Sequence, residues 1–237
     1  MNLVIDRGNS TAKVGIFEGQ KMLNKHLFDD DAGLFDFLEN ISAHHAIISS
    51  VSTPAETIQT KIKYKGNCFH LNHKLSLPIK ISYTTPETLG VDRIAAVCGA
   101  FDKFPGQACL VIDCGTCITY DLLEPDGNYK GGAISPGIEM KSKALNTFTK
   151  RLPLVQLADT GITGTSTLTS IQSGIINGTL FEMEGFISSY KYYFSDLKVL
   201  LCGGSTSFFE NKLKEPIFVA PNLVLYGLNR ILLHNVE

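Results

Sequence analysis

The feature that most restricts the fold of this chain is an internal repeat. Residues 3–8 read Leu-Val-Ile-Asp-Arg-Gly and residues 110–115 read Leu-Val-Ile-Asp-Cys-Gly. Each copy is an apolar strand that ends in Asp, followed by a Gly-bearing turn rich in Thr, Ser or Asn and then a second strand. Self-similarity of this kind marks a duplicated supersecondary unit. The first copy continues Thr11–Phe17, with Ala12, Val14 and Ile16 on one face and Thr11, Lys13 and Gly15 on the other, the period of a half-buried strand. The second continues Ile118–Leu123, turns at Pro125-Asp126-Gly127 and returns through Tyr129–Ile134, so each half begins as a β-meander.

Helical patterns follow each meander. Residues 31–40, 54–63 and 91–104 read as helices in the first half. In the second, helices are expected over 137–150 and 221–234. A long one over 166–194 should turn Leu168, Ile171, Ile175, Met183, Phe186 and Tyr190 to one side. A strand at 197–202 ends in Gly203-Gly204. Alternating strands and helices make the class α/β. The boundary is expected near Pro105-Gly106, giving halves 1–106 and 107–237.

Bulk properties narrow the function. A formal net charge of -2 leaves no basic footprint for nucleic acid. The longest uncharged stretch, Thr160–Phe181, is too rich in Thr, Ser, Gly, Asn and Gln to span a membrane. The start of the chain has no basic segment or cleavage site of a secretion signal, so a cytoplasmic location is expected. The 6 cysteines are scattered through apolar segments. Cys114-Gly-Thr-Cys117 is a C-x-x-C, but a structural zinc site needs a second ligand pair and none is spaced for it, so these read as small residues lining a turn.

Two strand–Asp–Gly–turn units suit phosphate and cation binding. Successive N–H groups in a tight turn make an anion-binding concavity, and Gly permits close approach. Asp6 and Asp113 occupy the strand ends, where a carboxylate can hold a cation directly or through water, and Lys13 is placed to meet a phosphate. One Asp-Gly turn alone would be an ordinary strand ending; two copies with both Asp residues retained argue for function. No P-loop and no G-x-G-x-x-G occurs, so a nucleotide must be held by the hairpins themselves. Gly90-Val91-Asp92-Arg93 opens a helix after a polar, aromatic lead-in from Tyr83, as in a substrate loop. Gly131-Gly132-Ala-Ile-Ser-Pro136-Gly137 reads equally as a hairpin exit or a binding turn. Gly203-Gly204 leaves backbone bare for an adenine ring or forms a plain turn. Gly174 and Gly178 allow close helix packing, internal or in a dimer seam.

The duplicated meander resembles the actin, hexokinase and Hsp70 superfamily, which implies duplicated actin-like (RNase H-like) domains with a nucleotide cleft between them. Within it the chain is similar, from end to end, to the type III pantothenate kinases. Their D-x-G-N-T motif with a following Lys matches Asp6, Gly8, Asn9, Ser10 and Lys13; G-x-D-R matches Gly90 to Arg93; D-x-G-T matches Asp113, Gly115 and Thr116; G-G-x-I-x-P-G matches Gly131, Gly132, Ile134, Pro136 and Gly137. Departures are Ser10 for Thr, Arg7 where an apolar residue is common, and Cys117 for a smaller residue.

The resemblance implies ATP-dependent phosphorylation of pantothenate to 4′-phosphopantothenate, the first step of coenzyme A biosynthesis. It implies Asp92 as the proton acceptor. Asp6, Arg7, Gly8, Asn9, Ser10, Thr11, Ala12, Lys13 and Thr116 would hold ATP, and Tyr83, Gly90, Val91, Asp92, Arg93 and Thr167 would hold pantothenate. Asp113 would bind a monovalent cation, K⁺ or NH₄⁺, beside Mg²⁺ near Asp6, and the enzyme would be a homodimer. The rival readings are another kinase or a phosphatase on the same fold, or a nucleotide-binding regulator without chemistry. A regulator is expected to have lost Lys13, Asp92 or Asp113, and all three are present.

Overall fold

The structure, a computed structural model, describes residues 1–237. In the first half β1 (Asn2–Arg7), β2 (Ala12–Glu18) and β3 (Lys21–Phe28) form the expected meander, followed by α1 (Asp31–Glu39). Then come β4 (Ser42–Ala43), β5 (His45–Ser50), α2 (Ala55–Gln59), β6 (Lys63–Tyr64), β7 (Cys68–His70), β8 (Lys80–Ile81) and α3 (Val91–Lys103). The second half runs β9 (Cys109–Cys114), β10 (Cys117–Leu123), β11 (Asn128–Pro136), α4 (Ile138–Phe148), α5 (Thr167–Tyr193), β12 (Lys198–Cys202), β13 (Ile217–Val219) and α6 (Leu223–Val236).

The two repeats build sheets on one plan. The first sheet has the order β3-β2-β1-β5-β7, the second β13-β12-β9-β10-β11-β8, and β4 and β6 form a separate pair. In each, the strand bearing the repeat takes its hairpin partner on one side and a parallel strand on the other, β5 beside β1 and β12 beside β9. The registers match as well: Asp6 lies level with Ser49 and Asp113 with Cys202, each at or near the end of the parallel strand. Both Asp residues therefore stand where strands give way to loops.

Two compact units form, and they do not follow a single cut in the chain. One comprises Met1–Gln107, Leu123–Gly131 and Asn222–Glu237, the other Ala108–Leu122 and Gly132–Pro221. The last helix joins the first unit because α3 and α6 pack with almost no space between their backbones. A methyl on Gly227 would lie 1.8 Å from the Ala95 carbonyl oxygen, and one on Gly99 would lie 2.5 Å from that of Leu223. The hairpin tip joins it because β8 pairs with Asn128 and Tyr129. A division at residue 106 was expected from the sequence alone; these two segments depart from it through contacts distant in sequence.

The first unit's core sets Leu3, Ile5, Val14 and Ile48 against Leu34, Leu38 and Ile58 of α1 and α2. The alternation expected for β2 fails at Gly15, which is buried, because α6 covers the other face of that sheet. The expected helix 54–63 is shorter, Ala55–Gln59, since tighter i−3 bonds from Lys61 and Ile62 end it before β6. In the second unit Leu110, Ile112, Ile118 and Tyr120 pack with Ile171, Ile175, Met183 and Ile187 of α5. Leu168, expected on that inner stripe, is instead exposed in the helix's first turn, beyond the reach of the core.

Candidate functional site

The first repeat closes as a four-residue turn, Gly8 to Thr11, between β1 and β2. The Gly8 N–H donates to the Thr11 carbonyl at 3.0 Å, leaving Asn9 and Ser10 exposed at the tip. Asp6 pairs directly with Lys13 across the antiparallel ladder, which puts both side chains on one face of the sheet. A carboxylate and an ammonium thus flank a turn whose Asn9-Ser10 tip is exposed. Arg7 turns inward: its Nε donates to Asp31 at 2.7 Å and an Nη to the Gly8 carbonyl at 2.8 Å. Ser52 donates to the same carbonyl at 2.9 Å, and Thr53 donates to Asp31 at 2.7 Å. The Thr53 hydrogen bond chiefly holds the Asp31 carboxyl below its ordinary range, with Arg7 adding to it against partial desolvation.

The segment 83–93 leads through a 3₁₀ turn at Pro86–Thr88 into α3. Asp92 lies in the first helical turn, where an acid is favoured by the helix dipole. Its Oδ1 accepts from the Arg93 N–H at 2.9 Å and lies over the bare Cα of Gly90, where a methyl would come within 2.6 Å. Arg93 is buried, its guanidinium carbon 5.9 Å from the Tyr83 ring centroid. Behind that ring is Gly131, at φ 92°, where a methyl would sit 2.9 Å from the ring carbons. Tyr83, Arg93 and Asp92 are thus brought together, and glycines at 90 and 131 make the room.

The second repeat closes more tightly, with Gly115 and Thr116 alone between β9 and β10. Gly115 N–H donates to the Cys117 carbonyl at 3.0 Å, and Gly137 N–H to that of Thr116 at 3.1 Å. The Asp113 carboxylate rests against Gly203, at φ 96°, where a methyl would be 2.5 Å from Oδ1. Cys114 is buried and desolvation raises its thiol well above the ordinary range, so it is held protonated and unreactive. All six cysteines are free thiols.

The glycine-dense strand end meets a polar network. Lys141 donates to Thr179 and to Glu182, both at 2.9 Å, and Tyr120 donates to Glu182 at 2.8 Å, while Ser135 bonds to the same carboxylate. Thr167 begins α5 behind a capping box of Ser166 and Thr169; it is exposed, and the structure groups none of the other expected substrate residues in its unit. Asp31, Ser52, Thr53, Lys141 and Glu182 escaped the sequence reading. Nothing in the local sequence singles any of them out, because the group each one bonds lies distant in the chain.

No group of three or more His, Cys, Asp or Glu side chains gathers as a cage. The donor set available is a single carboxylate at each repeat. That fits a divalent ion of the Mg²⁺ kind, which keeps waters and takes one or two carboxylates plus phosphate oxygens. The Asp113 carboxylate lies against the bare Cα atoms of Gly203 and Gly115.

The sequence profile described as type III pantothenate kinase matches residues 2–189. The chain belongs to the type III pantothenate kinase family. It is 45% identical over 240 residues to the type III pantothenate kinase of Cytophaga hutchinsonii, covering the whole of both chains. It is 43% identical to that of Bacteroides fragilis YCH46, over 99% of this chain and 98% of the relative. Among solved structures, a conserved Campylobacter jejuni protein assigned to the Baf family of transcriptional activators superposes with TM-score 0.65 at 21% identity over 98% of each chain. Component A of the (R)-2-hydroxyglutaryl-CoA dehydratase of Acidaminococcus fermentans gives 0.54 at 14% identity, over 99% of this chain and 96% of that one. These likenesses establish the fold, that of the actin-like ATPases and sugar kinases. Members of the type III family are kinases, so ATP with a divalent metal is the phosphoryl source.

Proposed function

We propose that this kinase transfers the γ-phosphoryl group of ATP to the primary hydroxyl of pantothenate with Asp92 as proton acceptor. Phosphorylation of pantothenate, which opens coenzyme A biosynthesis, is the activity of its family. The observation that carries the residue assignment is the Asp92 carboxylate lying over the bare Cα of Gly90, beside an Arg93 seated on Tyr83.

In this reading Arg93 meets the pantothenate carboxylate, since a guanidinium fork suits a planar anion, and Tyr83 packs on the substrate's apolar body. Val91 belongs to the same segment, and the family resemblance adds Thr167 to the pantothenate-binding residues. The turn Asp6–Lys13 takes the ATP phosphates on its N–H groups, and Thr116 contributes a hydroxyl. Lys13 offsets charge on the transferring group, as phosphoryl transfer needs mainly positioning and neutralisation. Asp92 accepts the hydroxyl proton as the hydroxyl oxygen bonds to the γ-phosphorus and ADP departs with the electron pair of the broken P–O bond. Bound Mg²⁺, near Asp6 through water, and K⁺ or NH₄⁺ at Asp113 would supply further neutralisation.

An assay coupled to ADP release, with and without pantothenate, tests the activity. Asp92→Asn is expected to lower kcat by about 10²–10⁴-fold while ATP and pantothenate still bind. Near-normal kcat in that variant would assign the proton to another group.

Two further assignments belong to this reading. The enzyme works in the cytoplasm; no helix is long and apolar enough to cross a membrane. It also works as a homodimer through the outer face of α5. Gly174, Gly178 and Gly185 have open space above them there, and Phe181 between them is 53% exposed. An active monomer in sedimentation at assay concentration would rule that seam out.

A further inference from the structure

We infer that Arg7 is a positioning residue of the phosphate turn: with Asp31 and Thr53 it holds the Gly8 carbonyl, and thereby aims the Asn9 N–H outward. The inference rests on the reading of residues 6–13 as the turn that takes the ATP phosphates.

The guanidinium is spent twice within its own unit, on Asp31 of α1 and on the Gly8 carbonyl. Its side chain is 11% exposed, so it does not stand beside the turn as a free cation. Ser52 gives the Gly8 carbonyl a second donor, and the Val51 N–H donates to the Arg7 carbonyl at 3.0 Å. Two consecutive carbonyls are therefore tied to the loop after β5 and to α1. A trans peptide is rigid, with its N–H opposed to its C=O. Fixing the Gly8 carbonyl on the inner side points the Asn9 N–H to the outer side, where the tip is exposed. A donor oriented before the phosphate arrives needs no reorganisation when charge builds. Thr53 fixes the carboxylate that fixes Arg7.

The test uses full-length Arg7→Met, Arg7→Lys, Asp31→Asn and the Arg7→Met/Asp31→Asn double variant, each checked by thermal melting, with KM for ATP and for pantothenate measured separately. Arg7→Met and Asp31→Asn are each expected to raise the ATP KM about tenfold or more, with the pantothenate KM within about twofold of wild type. The double variant is expected to be little worse than either single one, because both remove one device. Lysine is expected not to rescue, since it lacks a rigid fork that reaches two acceptors. Rescue by Arg7→Lys, or an unchanged ATP KM in Asp31→Asn, would make Arg7 a simple charge and overturn the inference. Equal losses in both KM values would overturn it too, as general loosening of the fold. If Arg7→Met does not fold, Arg7→Lys and Asp31→Asn decide the matter alone. Lys13→Met separates the two levels: no effect on ATP KM removes the phosphate reading itself, whereas an effect there with none at Arg7 removes the inference alone.

Discussion

The two copies of the repeat share a sequence and a strand plan but are locked by different means. In both, the loop after the parallel strand donates a backbone N–H to the residue following the Asp, Val51 to Arg7 and Ser205 to Cys114. Beyond that they diverge. The first turn is four residues long and leans on side chains: Arg7, Asp31, Ser52 and Thr53. The second is two residues long and leans on backbone, with Gly137 and Gly203 pressed against it. A short turn has few polar groups to satisfy, so glycines from remote segments can close on it. A long turn leaves a carbonyl exposed, which needs outside donors. The residue after the Asp records the difference, a clamping Arg in one copy and a buried Cys in the other.

The largest expected effect sets a glycine at one turn against a glycine at the other. Gly203→Ala puts a side chain at φ 96° and within 2.5 Å of both Asp113 and the Cys114 backbone, and neither can move without breaking the turn. It should destabilise the protein by about 2–4 kcal/mol in denaturant unfolding. Gly8→Ala meets only the Thr11 carbonyl at 3.4 Å, an ordinary contact, and should stay within about 1 kcal/mol of wild type. Equal losses would mean that both turns depend on glycine alike, and the contrast between side-chain and backbone locking would fall.

The sequence reading recovered most of this plan. The repeat, the meanders and all six helices, α2 at a shorter length than expected, were legible because each is a local pattern: an apolar strand ended by Asp-Gly, or a stripe at helical spacing. The four motifs were legible for the same reason. Gly15 shows where that stops, because its burial depends on α6, more than two hundred residues later. The clamp around Arg7 was illegible in the same way: Arg7 reads as a cation near phosphate until Asp31 is found beside it. Gly203 was noted as bare backbone, but its place under Asp113 follows from the pairing of β12 with β9, which no local pattern encodes.

A smaller effect, on activity alone, concerns the carboxylate that the second copy presents. Asp113 lies between Gly203 and Gly115 with no cage of other acids, as a weakly held monovalent ion would need. With Mg²⁺ present, activity should rise when K⁺ or NH₄⁺ is added to buffer free of both, and choline at matched ionic strength should not replace them. Asp113→Ala should lose that response while keeping its melting temperature within a few degrees. Full activity without either cation would leave the second copy with no ion to hold, and its carboxylate with a structural role only.

The smallest expected effect is a pH dependence confined to the first copy. Asp31 is held below its ordinary value of 3.8, first by Thr53 and then by Arg7, whereas the second turn is locked by backbone groups that do not titrate. A carboxyl whose folded pKa is depressed adds stability that is fully present above its unfolded pKa and is lost as pH falls through the folded one. Asp31 is partly exposed, so solvent screens the pair and the gain is modest. Wild type should therefore melt slightly above Asp31→Asn at neutral pH, and the gap should close only on acidification below about pH 4. Other carboxyls titrate in the same range and shift both proteins together, so the difference between the two melting curves is the quantity to follow. A gap that stays constant to about pH 2, or that closes already near pH 6, would show that the Arg7–Asp31 charge pair is not what holds the first turn.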